Sequence, residues 1–83
     1  MVIGDGCIIG ENVVVRQNVT IGGKLVDGRY QYPLIGSNVM IGSGAVLIFK
    51  VIIGDNAQIG ANAVVVKDVA TGNTAVGVPA RVV

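Results

Sequence analysis

The sequence predicts an all-β domain in which short strands and tight corners alternate around a triangular coil. An aliphatic residue recurs at every sixth position through most of the chain, and a second column with the same spacing holds Asn or Gly, which tolerate a left-handed backbone. A period of six matches neither an α-helix, which repeats about every 3.6 residues, nor a plain alternating strand. Six residues suit one short strand plus one corner. Three such units complete one turn, and stacked turns pair as parallel strands about 4.8 Å apart.

The units follow one another in two blocks, each with its aliphatic residue first. The first block begins its units at Ile3, Ile9, Val15 and Ile21. The second block begins them at Ile35, Ile41, Leu47, Ile53, Ile59 and Val65, and the same spacing leads on to Thr71 and Gly77. Compact residues fill the fifth position, among them Cys7, Val19, Val39, Ala45, Val51, Ala57 and Ala63. Counting the units predicts about four turns in one domain spanning residues 1–83.

The fourth position of each unit predicts the corners. It holds Gly6, Asn12, Asn18, Asn38, Gly44, Asn56 and Asn62. These residue types adopt positive φ more readily than others, so a tight corner is expected once per unit.

One interruption separates the two blocks, at residues 22–34, and the sequence predicts an irregular loop extruded from the coil there. This segment contains both tyrosines of the chain together with Lys24, Asp27 and Arg29. Loops that leave a regular solenoid commonly form its binding face. The alternative is an insertion tolerated at a corner, and the concentration of both tyrosines favours the functional interpretation.

Composition excludes several classes of protein. Hydrophobic residues make up 52% of the chain and charged residues 13%, which is too apolar for disorder. No run of about 18 apolar residues is present, which argues against a membrane span, and no secretory signal is visible, so a cytoplasmic protein is expected. Three aromatic residues and six basic residues scattered along the chain argue against nucleic-acid binding.

Three segments resemble the hexapeptide-repeat acyltransferase family, most closely the C-terminal part of serine O-acetyltransferases and of related acetyltransferases of sugars. They are VRQNVTIGG at residues 15–23, YPLIG at 32–36 and the end of the chain, IGANAVVVKDV at 59–69 with AVGVPARVV at 75–83. The resemblance implies a single-stranded left-handed parallel β-helix. It also implies a homotrimer that binds acetyl-CoA, as a cosubstrate, in grooves between neighbouring subunits and acetylates a small hydroxyl acceptor.

By this resemblance five residues contact the cofactor. Backbone groups of Ser43 and Ala61 would bind the pantetheine arm, whereas Val66, Lys67 and Arg81 match positions at the nucleotide end, where cations would meet phosphates. The alternative for Ser43 and Ala61 is a small residue required at a corner, and for Lys67 a solubilising surface charge. Arg81, after Val-Pro-Ala, is the most specific of the five markers.

The resemblance assigns no catalytic residue, because the family's general base is a histidine and this sequence has none. The family's second active-site histidine corresponds to Tyr32, and we expect Arg29, Tyr30 and Tyr32 to contact the acceptor. Asp27 and the tyrosines are poor substitutes for a base near neutral pH. No metal site is expected either, and Cys7 is assigned to core packing rather than to nucleophilic chemistry.

Two hypotheses about function follow. The first is an acetyl-CoA-dependent O-acetyltransferase acting on serine or a sugar; the second is a catalytically inactive β-helix that binds CoA or serves as a trimerising scaffold. A β-helix tail of a sugar nucleotidyltransferase is a weaker third, because the ending GVPARVV fits acetyltransferases better. Since the repeat starts at Ile3 without a cap, we expect either a missing N-terminal portion or a partner that covers the first turn.

Overall fold

A computed structural model describes residues 2–4 and 6–83 of the chain. Its regular structure consists of strands of two or three residues. They are β1 (Val2–Ile3), β2 (Ile8–Ile9), β3 (Val14–Val15), β4 (Thr20–Gly22), β5 (Lys24–Val26), β6 (Arg29–Gln31), β7 (Leu34–Ile35), β8 (Met40–Ile41), β9 (Val46–Ile48), β10 (Ile52–Ile53), β11 (Gln58–Ile59), β12 (Val64–Val65), β13 (Thr74–Val76) and β14 (Arg81–Val82). No helix among the described residues is long and apolar enough to cross a membrane.

The strands form the three faces of a triangular coil, as the period of six predicts. Face 1 contains β1, β4, β9 and β12, all parallel; face 2 contains β2, β7 and β10, continued by an isolated bridge from Ile53 to Val69. Face 3 contains β3, β8, β11 and β13, also parallel. Each face therefore has four levels, which confirms the expected four turns.

The aliphatic column of the sequence forms the core. On face 1, Ile21 pairs with Leu47 and Leu47 with Val65, and all three side chains are buried. The compact fifth-position residues fill the spaces at the corners, since Val19, Ala45 and others are buried as well. Burying one such aliphatic side chain contributes about 1.5–3 kcal/mol, so the repeated column supplies most of the stabilisation of the fold.

Asparagine corners hold the coil in shape. Five of them have φ near +60°, namely Asn12, Asn18, Asn38, Asn56 and Asn62. The glycine that follows the aliphatic residue has a different role, since it lies against the next turn of the coil. A Cβ added at Gly42 would lie 2.6 Å from the backbone nitrogen of Ala61. The Ile-Gly pattern thus reflects close stacking of turns, with no room for a side chain between them.

The last turn departs from the predicted register. Ile53 pairs with Val69 and Ile59 with Ala75, so the expected positions at Thr71 and Gly77 are wrong, and both of those residues are exposed. The step after Val65 is two residues shorter than the others, and the segment at 22–34 is not the only interruption of the repeat. The Asp68 carboxylate compensates, because its Oδ1 accepts a hydrogen bond from the Ile52 N–H at 2.8 Å.

The segment predicted as an irregular loop is an ordered hairpin. Strands β5 and β6 pair antiparallel, with Lys24 opposite Gln31 and Val26 opposite Arg29. Asp27 and Gly28 form the two-residue turn with φ of 49° and 76°. Two successive positive φ values are typical of a type I′ turn, for which Asp-Gly is a favoured sequence. The Asp-Gly pair was the available sequence signal for a hairpin.

The C-terminal end of the coil is closed by a change of strand direction. Strand β14 pairs antiparallel with β13, with Ala75 opposite Val82, whereas every other pair within the three faces is parallel among the described strands. Ala80 packs against the core beside this strand. This short reversal follows Pro79 and covers the end of face 3.

Candidate functional site

One edge of the coil collects most of the positive charge. We define the hairpin edge as the connections that follow β4, β9 and β12, which lead from face 1 to face 2. Four of the six basic residues lie there: Lys24, Arg29, Lys50 and Lys67. Asp27 and Asp68 are the acidic residues of these connections. Basic residues that are scattered along the sequence are therefore gathered by the coil, because each turn brings the chain back to the same edge.

A cleft opens where this edge meets the C-terminal strand. It encloses about 370 Å³ and is lined by Val66, Lys67 and Asp68 on one side and by Pro79, Ala80, Arg81 and Val82 on the other. Three of the five predicted cofactor residues, Val66, Lys67 and Arg81, are thus brought together. An ammonium and a guanidinium group beside one cleft suit an anion such as a phosphate.

Asp68 also lines this cleft, and sequence reasoning did not single it out. Its Oδ1 accepts a hydrogen bond from the Ile52 N–H, which restrains the carboxylate beside the cleft, and Asp68 follows Lys67 directly in the chain. Asp68 belongs to the shortened step of the last turn, and that shortening was not recognised in the sequence.

The other two predicted cofactor residues lie elsewhere. Ser43 and Ala61 occupy the connections from face 3 back to face 1, one turn apart, and neither lines the cleft. The Asn62 N–H donates a hydrogen bond to the Ser43 carbonyl at 2.8 Å, so that carbonyl already has a partner within the coil. Within one chain the five residues therefore form two separate groups.

All three predicted acceptor residues lie on the hairpin, but only Tyr30 and Tyr32 share one of its sides, and Arg29 belongs to the other. Arg29 and Tyr30 are exposed on β6, and Tyr32 is half-buried just after it. The rings of Tyr30 and Tyr32 stack with centroids 6.1 Å apart and an interplanar angle of 29°. The Tyr32 ring lies over glycines: a Cβ at Gly23 would be 2.7 Å from it, and one at Gly4 2.8 Å.

A contact between Lys24 and Phe49 holds the other side of the hairpin to the coil. The Lys24 Nζ lies 5.2 Å from the centroid of the Phe49 ring, within the range of a cation–π interaction. Phe49 has φ of 73°, whereas the other described non-glycine residues with positive φ are Asn or Asp. A bulky side chain in this conformation costs roughly 1–2 kcal/mol. The sequence predicts a surface or subunit contact for Phe49 and Lys50; this contact with the hairpin was not foreseen.

Cys7 has the surroundings of a packing residue. It packs against the core, and its Sγ lies 3.7 Å from the Ile21 carbonyl oxygen. Burial raises the pKa of the Cys7 thiol above its ordinary value, and a backbone hydrogen bond with Gly4 lowers it in part. The neutral thiol is therefore favoured, which is unsuited to a nucleophile. No three His, Cys, Asp or Glu side chains converge on one point within the described part of the chain.

Comparison with known proteins gives consistent matches. The model of the family described as "Bacterial transferase hexapeptide (six repeats)" matches residues 32–69. A serine acetyltransferase of Staphylococcus aureus is 42% identical over 83 residues, which cover all of this chain and 39% of that relative. The crystal structure of Neisseria gonorrhoeae serine acetyltransferase (CysE) matches 98% of this chain and 32% of its own with a TM-score of 0.92 and 43% identity. The same protein has also been solved in complex with serine.

A further structure, a serine acetyltransferase in complex with CoA, matches 93% of this chain and 39% of its own at a TM-score of 0.72 and 35% identity. The chain thus spans about two fifths of the length of the S. aureus relative. The structural matches confirm the left-handed parallel β-helix that the resemblance implies. The chain belongs to the hexapeptide-repeat transferase family, and its 83 residues match the C-terminal part of serine acetyltransferases.

Proposed function

We propose that this chain acts in an acetyl-CoA-dependent O-acetyltransferase of the serine acetyltransferase type, with a hydroxyl of serine or of a sugar as acceptor. The observation that carries the proposal is the cleft at the hairpin edge, which Lys67, Arg81 and Val66 all line. The family match and the relative solved in complex with CoA support the same cosubstrate. We place this reaction in the cytoplasm, as the sequence predicts.

In the proposed reaction the acceptor hydroxyl oxygen attacks the thioester carbonyl carbon of acetyl-CoA. The carbon–sulfur bond breaks, the acetyl group is transferred to oxygen, and the hydroxyl proton passes through a base to the leaving sulfur. Lys67 and Arg81 would hold the phosphate-bearing end of acetyl-CoA without taking part in these bonds. Tyr30 and Tyr32 on one side of the hairpin would hold the acceptor, and Arg29 would contact it from the other side of the same hairpin. Ser43 and Ala61 would hold the pantetheine arm.

A homotrimer accounts best for the separation of the two groups of cofactor residues. Ser43 and Ala61 lie on a different edge from the cleft, so a second copy of the chain would have to bring the two edges together. Face 2 offers a surface for such packing, because Ile8, Leu34 and Ile52 stack in register with exposures of 64%, 43% and 48%. An exposed aliphatic ladder of this kind marks an interaction site. We propose that it is covered by another copy.

The absence of histidine from the 83 residues favours a second candidate function. Without a general base, which contributes about 10²–10⁴-fold to such reactions, the chain would bind acetyl-CoA and turn it over poorly. It would then serve as a CoA-binding or trimerising scaffold. In both candidates the cleft binds acetyl-CoA, and they differ in whether the acetyl group is transferred to an acceptor.

Calorimetric titration with acetyl-CoA, followed by an assay of thiol release with L-serine and a panel of sugars, separates these candidates. If the chain is an acetyltransferase, we expect saturable binding of acetyl-CoA and thiol release that depends on the acceptor. Binding without release supports the CoA-binding scaffold. A chain that binds no acetyl-CoA would contradict the assignment of the cleft.

A further inference from the structure

The hairpin presents one apolar face, formed by alternate residues of its two strands. Leu25 and Tyr30 lie directly opposite each other, and Tyr32 follows two residues after Tyr30 on the same side. Residues such as Lys24 and Arg29 belong to the other side of the hairpin, because side chains alternate along a strand. Leu25 and Tyr30 are 56% and 63% exposed.

The two tyrosines of this face differ in how firmly they are held. The Tyr32 ring lies against the coil at Gly4 and Gly23, where added Cβ atoms would come within 3 Å of it. The Tyr30 ring stacks on Tyr32 at 6.1 Å and is otherwise largely exposed. A fixed ring therefore supports a second ring that has a free face. We call Leu25, Tyr30 and Tyr32 the aromatic platform.

Such a platform suits a ligand with an apolar face and a polar rim. A pyranose ring has this character, since its C–H groups cluster on its faces and its hydroxyl groups project around the edge. Tyrosine combines a broad apolar ring with a hydroxyl that forms hydrogen bonds with a polar rim. Serine lacks a ring face and is too small to cover both Leu25 and Tyr30. The platform therefore distinguishes between the two acceptor classes that the family resemblance leaves open.

We propose that the acceptor bound at the hairpin is a saccharide, whose ring stacks on Tyr30 and is flanked by Leu25. This inference rests on the proposed function, because it names the acceptor class of the same transferase site. The coil also provides the conditions for the stack. Glycines at positions 4 and 23 leave space for the Tyr32 ring, and Lys24 on the opposite side of the hairpin contacts Phe49.

The composition of the chain allows a direct measurement. It contains no tryptophan and two tyrosines, both on the platform, so its intrinsic tyrosine fluorescence reports on this site alone. The full chain would be titrated separately with glucose, galactose, N-acetylglucosamine, glucuronate and L-serine, and the tyrosine ring signals followed in parallel by proton NMR. We expect at least one saccharide to give a saturable change in both readouts, with serine giving none.

Two variants test whether the platform is responsible. Tyr30→Ala should weaken saccharide binding about tenfold or more, measured through the remaining Tyr32 signals. Val26→Thr, nearly isosteric and on the opposite side of the same hairpin, should bind within about twofold of the parent chain. Circular dichroism of both variants establishes that the coil is retained, which is expected because Tyr30 is exposed.

The outcomes distinguish this inference from the proposed function. A response to serine and to none of the sugars would overturn the saccharide assignment while leaving the transferase proposal intact. Equal saccharide binding by Tyr30→Ala would overturn the role of the platform. Saccharide binding by a chain that fails to bind acetyl-CoA in calorimetry would support the platform as a saccharide site and contradict the transferase proposal instead.

Discussion

Asp68 lies in the step between Val65 and Val69, where the chain is two residues shorter than in the turns before it. A shorter step would leave the Ile52 N–H without the backbone acceptor that other turns provide; Leu34, one turn earlier, donates to the Val51 carbonyl. The Asp68 carboxylate supplies the missing acceptor at 2.8 Å. At the residue scale, a side chain thus replaces a carbonyl where the repeat is irregular.

Replacing this side chain should therefore reduce stability. We expect Asp68→Ala to lower the free energy of unfolding by about 1 kcal/mol. The exposed Ile52 N–H would lose its acceptor within the protein and would bond to water instead. Asp68→Asn retains an Oδ1 acceptor and should cost less than half as much. Urea denaturation of both variants checks this, and equal loss in the two would show that the charge rather than the hydrogen bond matters.

Lys67 and Arg81 are the two cations of the cleft, and their proposed role is electrostatic. Replacing either by methionine keeps an apolar stem while removing the charge. Each substitution should weaken CoA binding about tenfold, or about 1.4 kcal/mol, and the difference should shrink as salt is added. Calorimetry in low and high salt measures this.

Lys50→Met provides the control for both variants. Lys50 lies on the same hairpin edge but does not line the cleft. Its replacement should leave CoA affinity within about twofold of the parent chain, as expected for a surface substitution away from the binding residues. If Lys50→Met lowered CoA affinity as much as Lys67→Met, the positive potential of the whole hairpin edge, and not specific contacts in the cleft, would account for binding.

The strand-plus-corner unit is the element from which this molecule is built, and its glycine sets how closely turns approach. Gly42 donates its N–H to the Ile59 carbonyl at 2.8 Å, and a Cβ there would meet the backbone of Gly60 and Ala61. Gly22 occupies the same place in its own unit, yet a Cβ added to it meets nothing within 4 Å, because the hairpin leaves the coil there.

These two glycines give a matched pair of variants. Gly42→Ala should destabilise the chain by about 1–3 kcal/mol, because rigid backbone would have to move. Gly22→Ala should be neutral or stabilise by up to about 1 kcal/mol through the lower entropy of the unfolded chain. Thermal unfolding at one protein concentration compares them, and similar midpoints for both would refute the close-stacking explanation.

The whole molecule is a short prism, and the longest ladder of exposed aliphatic residues among the described residues lies on face 2. There the outward residues of three successive turns are Ile8, Leu34 and Ile52, whereas the ladder on face 3 consists of Val14 and Met40 and then gives way to Gln58 and Thr74. A continuous ladder of this kind suits packing against a second copy, and we expect the proposed homotrimer to use it.

A charge at the centre of the ladder tests the assembly. Leu34→Glu should convert the trimer to monomers, because a buried unpaired carboxylate at the interface would cost several kcal/mol. Gln58→Glu, which adds the same charge on face 3, should leave the trimer intact. Sedimentation velocity measures both, and a monomeric parent chain would contradict the trimer itself.

Much of the fold follows from local sequence. Through most of the chain an aliphatic residue at every sixth position indicates which side chains are buried, and asparagine at the corners indicates where the chain turns. Both signals depend on a single residue and its neighbours. The core at Ile21, Leu47 and Ile53 and the corners at Asn38 and Asn56 were therefore predictable. The hairpin was also encoded locally, in Asp27-Gly28, although the segment was interpreted as irregular.

The candidate site was predictable only in part. The identity of Lys67 and Arg81 came from resemblance to known sequences, but their shared cleft depends on β14 reversing beside the last turn. Likewise the stack of Tyr30 on Tyr32 depends on glycines that lie far from both in the chain.

By itself the sequence determined the period, the core and the corners, because these depend on the intrinsic preferences of residues that are close together along the chain. Only the tertiary structure decided the register of the last turn, the cleft and the aromatic platform. Each of these depends on which turns of the coil lie beside one another. Because the step after Val65 is two residues shorter than the others, every later residue pairs with a different residue of the preceding turn than the period of six predicts.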